Sequence, residues 1–147
     1  MLNEQAVNGL RESGWFVGRR ALIDAARRSW ASIDRLPSEA VEEFIKEYFS
    51  ISFAHPHHWS KDARDITHID PVAAVANTSL FALSNEYEVK AGGRLTPIGL
   101  MDCGVLLFAG LDGAIYGGNS PYLGRYGESF EDFLNLLFSS RRPVVLQ

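Results

Sequence analysis

The 147-residue chain holds a single cysteine, Cys103, and only two methionines. One thiol cannot close an internal disulfide, so the fold owes nothing to such cross-links, and a reducing compartment, the cytoplasm, is the expected setting. Signatures of several common chemistries are missing. There is no H-E-x-x-H, no Cys pair for zinc and no G-x-S-x-G nucleophile elbow. A P-loop is also absent, since Gly117-Gly118 lacks the following Lys and Ser/Thr; glycines there suit a turn or a close backbone approach. No apolar run approaches the roughly 20 residues of a membrane span. Residues 1–20, with Asn3, Glu4, Gln5 and Asn8 among them, lack the apolar core of a secretion signal. No repeat, low-complexity tract or linker divides the chain, so one domain over residues 1–147 is expected.

The composition is that of a globular protein, 46% hydrophobic and 22% charged. A chain of this length buries roughly 70% of its unfolded surface and needs no staple. Its net charge is −4, unevenly spread: residues 1–36 carry six basic and four acidic residues, and residues 37–147 carry eight and fourteen. That acidic body disfavours direct nucleic-acid binding and suits either a basic partner or a purely solubilising role.

Hydrophobic spacing predicts a short helix over residues 2–12, ended by Gly14, and a half-buried extended segment from Trp15 to Arg19. A second helix is expected from Asp24, as N-cap, to Ser32, with Ala26, Trp30 and Ile33 inward. Pro37-Ser38 opens a third, in which Val41, Phe44, Ile45, Tyr48 and Phe49 trace one apolar face. Glu39, Glu43 and Glu47 fall on the other face, and Glu42 is spaced to pair with Lys46. Strands are expected at residues 50–54 and 66–69, with a polar loop from His55 to Asp65 between them. A weaker helix over residues 78–90, capped by Asn77 or Thr78, ends at Ala91-Gly92-Gly93. The C-terminal third reads as strands at Leu95–Gly99, Val105–Ala109 and about Gly113–Gly117, with Asp112-Gly113 signalling a two-residue hairpin turn. Ser129 caps a closing helix that buries Phe130, Phe133, Leu134, Leu137 and Phe138. Helices, then a strand meander, then a helix indicate an α+β fold.

Candidate chemistry is sparse. The region from His55 to Asp70 concentrates His55, His57, His58, Asp62, Asp65 and His68 and reads either as an ordinary loop or as a metal-dependent hydrolase site, the latter requiring His57, His58, His68 and a carboxylate to converge. Cys103 reads as an inert small hydrophobe. The Glu39, Glu43, Glu47 stripe is a solvated face or an acidic partner-binding surface. Trp15 and Arg19 either tie the N-terminal segment to the core or act as a recognition pair. Trp59 and Tyr122, flanked by polar residues, are candidate contact aromatics. No catalytic, cofactor or metal residue is assigned, and no oligomeric state.

Six segments together resemble the SUKH superfamily, and within it the SUKH-3 group. They are Gly14-Trp15-Phe16-Val17-Gly18-Arg19-Arg20, the aromatic-ended stretch Val41–Phe49, Thr67–Pro71, Leu95–Gly99, Asp112–Tyr116, and Tyr126-Gly127 with Ser129–Leu137. The resemblance covers about residues 13–138. Two positions depart from the group's pattern: Ser50-Ile51 stands where members often carry Gly-Gly, and Leu100 where an acidic residue often follows the Pro-Ile-Gly. The resemblance implies a compact α+β domain around a curved, mainly antiparallel sheet flanked by helices. It also implies a bacterial immunity protein that binds and neutralises a cognate toxin domain of a polymorphic toxin system, toxins that are often nucleases. The wider superfamily's regulatory and scaffold adaptors remain the alternative within the fold.

Overall fold

A computed structural model describes residues 1–60, 62–139 and 141–147. Its strands are β1 (Ser52–Pro56), β2 (Arg64–His68), β3 (Leu95–Met101), β4 (Leu106–Gly110), β5 (Ile115–Asn119), β6 (Tyr122–Gly127) and β7 (Val144–Val145). All seven pair antiparallel with their neighbours in chain order, giving one curled half-barrel meander. The helices are α1 (Glu4–Glu12), α2 (Asp24–Ser32), α3 (Glu39–Tyr48), α4 (Pro71–Asn77) and α6 (Phe130–Leu137). Between α4 and β3, Leu80–Ala82, Leu83–Tyr87 and Glu88–Ala91 make one helical run, α5, whose middle segment is a π-turn.

Both faces of the sheet are covered, which is why β3, β4 and β5 are buried almost continuously. On one face Ile98, Leu107, Ala109 and Ile115 meet Trp30 of α2, Ile45 of α3 and Phe133 of α6 in the main core. On the other, Leu95, Phe108, Tyr116 and Leu123 pack under Leu83 and Tyr87 of α5 in a second, smaller core. Tyr87 lies across β5: a Cβ added to Gly118 would stand 2.9 Å from its ring. Its hydroxyl accepts from the Ser120 amide at 2.8 Å.

The Trp15–Arg19 segment is a turn rather than an extended strand. Trp15 is buried and stacks on Tyr48, while Phe16 and Val17 are exposed. The Trp15 indole donates to Glu47 at 2.7 Å. The Arg19 guanidinium donates to the Glu47 and Phe49 carbonyls at 2.6 and 2.7 Å, capping the end of α3 where unpaired carbonyls concentrate negative charge. The Trp-Arg pair is therefore a fold tie.

Other expectations need correction. Asp24 is the first residue of α2, with Ile23 at the cap position and no side-chain cap bond. Glu42 bonds Arg27 at 2.8 Å, and Lys46 instead bonds Glu43 at 3.0 Å, three residues away. The loop after β1 is shorter than His55–Asp65, because His55 and Asp65 face each other across the β1–β2 ladder; Lys61 of that loop lies outside the described residues. Helix α4 has no counterpart among the expected elements, although Asp70 caps it through the Ala73 amide and Pro71 opens it. The cap of α5 is Ser79, not Asn77 or Thr78. The β4–β5 connection is a three-residue loop, closed by the Gly113 amide on the Gly110 carbonyl and by the Gly110 amide on the Ala114 carbonyl. Strands β6 and β7 are likewise additions to the expected set.

One position admits no side chain. A Cβ on Gly99 would stand 2.3 Å from the His68 carbonyl oxygen, a backbone atom that cannot step aside. Gly99→Ala is expected to cost about 3 kcal/mol or more, lowering the melting temperature by roughly 10 °C. Ser50 takes the left-handed conformation, φ 65°, in which a Cβ is strained. Ser50→Gly is expected to raise stability by about 0.5–1 kcal/mol in urea titration, the strain relieved exceeding the entropy glycine adds to the unfolded chain.

Candidate functional site

In an antiparallel meander alternate turns fall at the same end of the sheet. The β1–β2, β3–β4 and β5–β6 turns therefore share one end, and it is the end where the chemistry-bearing side chains collect. Trp59, in the first turn, is 43% exposed. Tyr122, at the start of β6, meets it edge to face with ring centroids 5.7 Å apart. His57 and His58 lie edge-on to the indole at 6.2 and 6.0 Å. Beneath, the Tyr122 hydroxyl donates to that of Tyr126 at 3.3 Å, and His58 packs edge-on to the Tyr126 ring. The indole is thus exposed yet held among other rings, which limits the rotamer freedom it would lose on contact with another molecule.

Beside the aromatics lies a cleft of about 610 Å³ whose lining includes Pro56, His57, His58, Asp62, Arg64 and Arg142. Arg64, Arg141 and Arg142 are exposed and form no ion pair among the described residues. His58 is buried, with Nε2 lacking a hydrogen-bond partner among the described residues. Burial lowers its pKa from the ordinary value, with the Arg141 carbonyl pulling the other way. A smaller cleft of about 270 Å³ at the opposite end is lined by Gly92, Gly93, Arg94 and Asp112, but Arg94 is already paired with Asp34.

The histidines do not assemble as a hydrolase site. His68 pairs opposite Ser52, whereas His57 follows Pro56 at the other end of the ladder. Four residue steps, about 13 Å, separate those ends. His68 accepts from the Ser52 hydroxyl and donates to Asp102, both at 2.7 Å. His55 is fully buried in the core: Nδ1 donates to the Pro56 carbonyl at 2.9 Å and Nε2 accepts from the Thr67 hydroxyl at 2.7 Å. Asp70 is spent on the α4 cap.

A different trio, His57, Asp65 and Cys103, brings one potential ligand atom each within 4.8 Å of the others. It does not suit a metal. Nδ1 of His57 accepts the Trp59 and Ser60 amides, both at 3.1 Å, which places the ring proton on Nε2 and leaves no lone pair to donate. Asp65 accepts the Ile66 and Cys103 amides at 2.9 and 3.2 Å, fixing the β2 edge to the β3–β4 turn. Desolvation of the sulfur and the bond to Asp65 push the Cys103 thiol up to about 11, far from a reactive thiolate.

The acidic stripe of α3 is largely engaged. Glu43 bonds Lys46 and Arg20 at 3.0 and 3.3 Å, which hold its carboxyl below the usual range. Glu47 receives the Trp15 indole. Glu39 is exposed and has no ion pair among the described residues.

Sequence reasoning picks out Trp59 and Tyr122 separately, and the fold puts them in contact. It passes over Arg64, Arg141, Arg142 and Tyr126. A signal for two of these is present: Arg141-Arg142 sits in a tail where no acidic residue follows Asp132.

The helix-covered meander thus presents Trp59, braced by Tyr122 and two imidazoles, at one end of the sheet. The SUKH-3 immunity protein family matches the chain across residues 2–140, and the chain belongs to that family. Membership of that family supports an immunity role for the chain. No curated protein and no solved structure gives a significant match. Among the described residues no helix is long and apolar enough to cross a membrane.

The buried His55 makes stability depend on pH. Burial lowers its pKa from 6.5 to about 4, so the unfolded chain binds the proton more readily than the folded one. The stabilising contribution is complete above the unfolded value of 6.5 and is lost as pH falls toward 4. About 2 kcal/mol should disappear between pH 7.5 and pH 5, where most carboxylates do not yet titrate. Urea unfolding at the two pH values should show the loss, and His55→Gln should remove most of the difference.

Proposed function

We propose that this immunity protein neutralises the cognate toxin domain of a polymorphic toxin system by covering its working surface, with Trp59 and Tyr122 as the central contacts. Occlusion needs no chemistry. It needs a preorganised patch within about 1,600 Å² of total buried interface and a few anchors that fill pockets on the partner. The observation that supports this is the exposed indole of Trp59 held edge to face against Tyr122 and flanked by two imidazoles. Trp, Tyr and Arg are the residue types that dominate interface energetics, and all three occur at this end of the sheet.

A nuclease is the toxin class that the acidic body of the chain favours, because the substrate groove of a nuclease is basic. On α3, Glu39 is the carboxylate available for such a contact, with Glu43 and Glu47 serving it less directly through their present partners. The protein acts in the cytoplasm of the producing cell, where the toxin would otherwise harm its maker.

The deciding experiment is co-expression with the toxin domain encoded beside this chain, scored by rescue of growth, and calorimetry on the purified pair. Trp59→Ala and Tyr122→Ala should each weaken binding by about 30-fold, the threshold loss for an interface hot spot, while far-UV circular dichroism stays that of the parent. Equal affinity of parent and both variants would remove this end of the sheet from the interface. Absence of any toxin gene in the neighbourhood would favour an adaptor role.

A further inference from the structure

The chain is acidic overall, yet the sheet end that carries Trp59 is cationic. Arg64 and Arg142 line the 610 Å³ cleft, and Arg141 adjoins Arg142 in the chain. These three guanidinium groups are exposed and without an ion pair among the described residues, as are those of Arg11 on α1 and Arg28 on α2, whereas Arg20, Arg27, Arg35, Arg94 and Arg125 all have one. Among the described residues the only carboxylate in the lining is Asp62. His58, in the same lining, has Nε2 without a partner among the described residues. Unpaired arginines near the exposed Trp59 indole and the half-buried Tyr122 offer fork-shaped donors and an aromatic platform, the combination that recognises a carboxylate next to an apolar or aromatic side chain.

We infer that this cleft receives an acidic segment of the cognate toxin domain, one carboxylate between Arg64 and Arg142 and the neighbouring apolar side chain on Trp59 and Tyr122. The inference rests on the toxin-binding proposal above and names the chemistry of the contact. A polynucleotide is a poorer occupant. The whole chain at −4 repels a polyanion, and a cleft of about 610 Å³ takes one or two side chains and not a backbone of successive phosphates. The contact sets orientation and residence time, because a guanidinium–carboxylate pair made at short range holds the bound partner and suppresses wrong ones.

The test uses the full chain and the toxin domain encoded beside it, with affinity and dissociation rate read by surface plasmon resonance at about 50 and 300 mM salt, below and above physiological screening. Arg64→Glu and Arg142→Glu should each weaken binding about tenfold, chiefly through faster dissociation, with the larger loss at the lower salt. Arg28→Glu, an exposed change on α2, should leave affinity within about threefold of the parent. Arg142→Lys gives a second measurement that does not depend on charge reversal. A carbodiimide cross-link from the lysine introduced there should appear at an Asp or Glu of the toxin by mass spectrometry. Reversal variants that bind as tightly as the parent or more tightly, or no carboxylate cross-link, would overturn the acidic-segment contact while leaving toxin binding in place. Loss of all toxin binding by the parent chain would remove both proposals. Binding of a single-stranded oligonucleotide that Arg142→Glu abolishes would assign the cleft to nucleic acid instead.

Discussion

The arrangement of this protein hangs on a kink in β3. Between Pro97 and Gly99 the pairing register with β4 shifts, and the strand turns its backbone in two directions at once. Toward the helical layer, the Pro97 carbonyl accepts the fully buried Trp30 indole at 2.7 Å, so α2 is fastened to the middle of the sheet by a bond that spans 67 residues. Toward β2, the missing side chain at Gly99 lets the His68 carbonyl approach to a distance that no Cβ would allow. The ladder from β2 to β3 is only two residue pairs long. The attachment of the β1–β2 hairpin therefore depends on that close approach, on the Asp102 amide bonding the Ile66 carbonyl, and on the Asp65 bond to the Cys103 amide.

The position of this hairpin decides what the surface can do. Its tip carries His57, His58 and Trp59, and Tyr122 is contributed by a strand more than sixty residues later in the chain. Nothing local joins these residues. They meet because the meander returns every second turn to the same end, and because β2 is held close enough to β3 for the tip to overhang the β3–β4 turn. Asp65 and Cys103, which at first sight suggest metal or nucleophile chemistry, serve this purpose instead. Both Asp65 amide bonds and the raised thiol pKa fit a joint between turns. Chemistry-bearing residue types here hold the hairpin in place.

Much of this fold is legible in the sequence, and the boundary of what is legible has physical causes. Helix α3, helix α6 and the Ser129 cap are readable because their apolar residues repeat at the helical period and their ends carry strong local signals. Trp15 and Arg19 read as a tie or as a recognition pair, and the tie holds because α3 ends where Arg19 can reach its last carbonyls. His55 misleads because polarity suggests exposure, whereas an imidazole with a partner on each nitrogen is at home in a core. Strand β6 escapes because Gly124 and Gly127 dilute its β signal, and those positions are small to make room for the Tyr122 hydroxyl and the start of α6. The cationic cleft escapes for a further reason: Arg64 and Arg142 come from opposite halves of the chain, and only the folded sheet brings them to one lining.

Charge therefore has to be read at two scales in this molecule. The excess of acidic groups in residues 37–147 governs long-range behaviour, solubility and the sign of partner that approaches at a distance. Beyond a Debye length of about 8 Å that field fades, and the side chains in contact decide what binds. On α3 the carboxylates of Glu43 and Glu47 are already occupied by Lys46, Arg20 and Trp15, so much of the nominal acidic stripe is spent within the fold. In the cleft next to the β1–β2 turn the reverse holds, with Arg64 and Arg142 unpaired among the described residues. An inhibitor that works by occlusion gains specificity when its long-range and short-range preferences differ. On the contact proposed above, a target is both attracted by the whole and matched by a carboxylate to the cleft that Arg64 and Arg142 line.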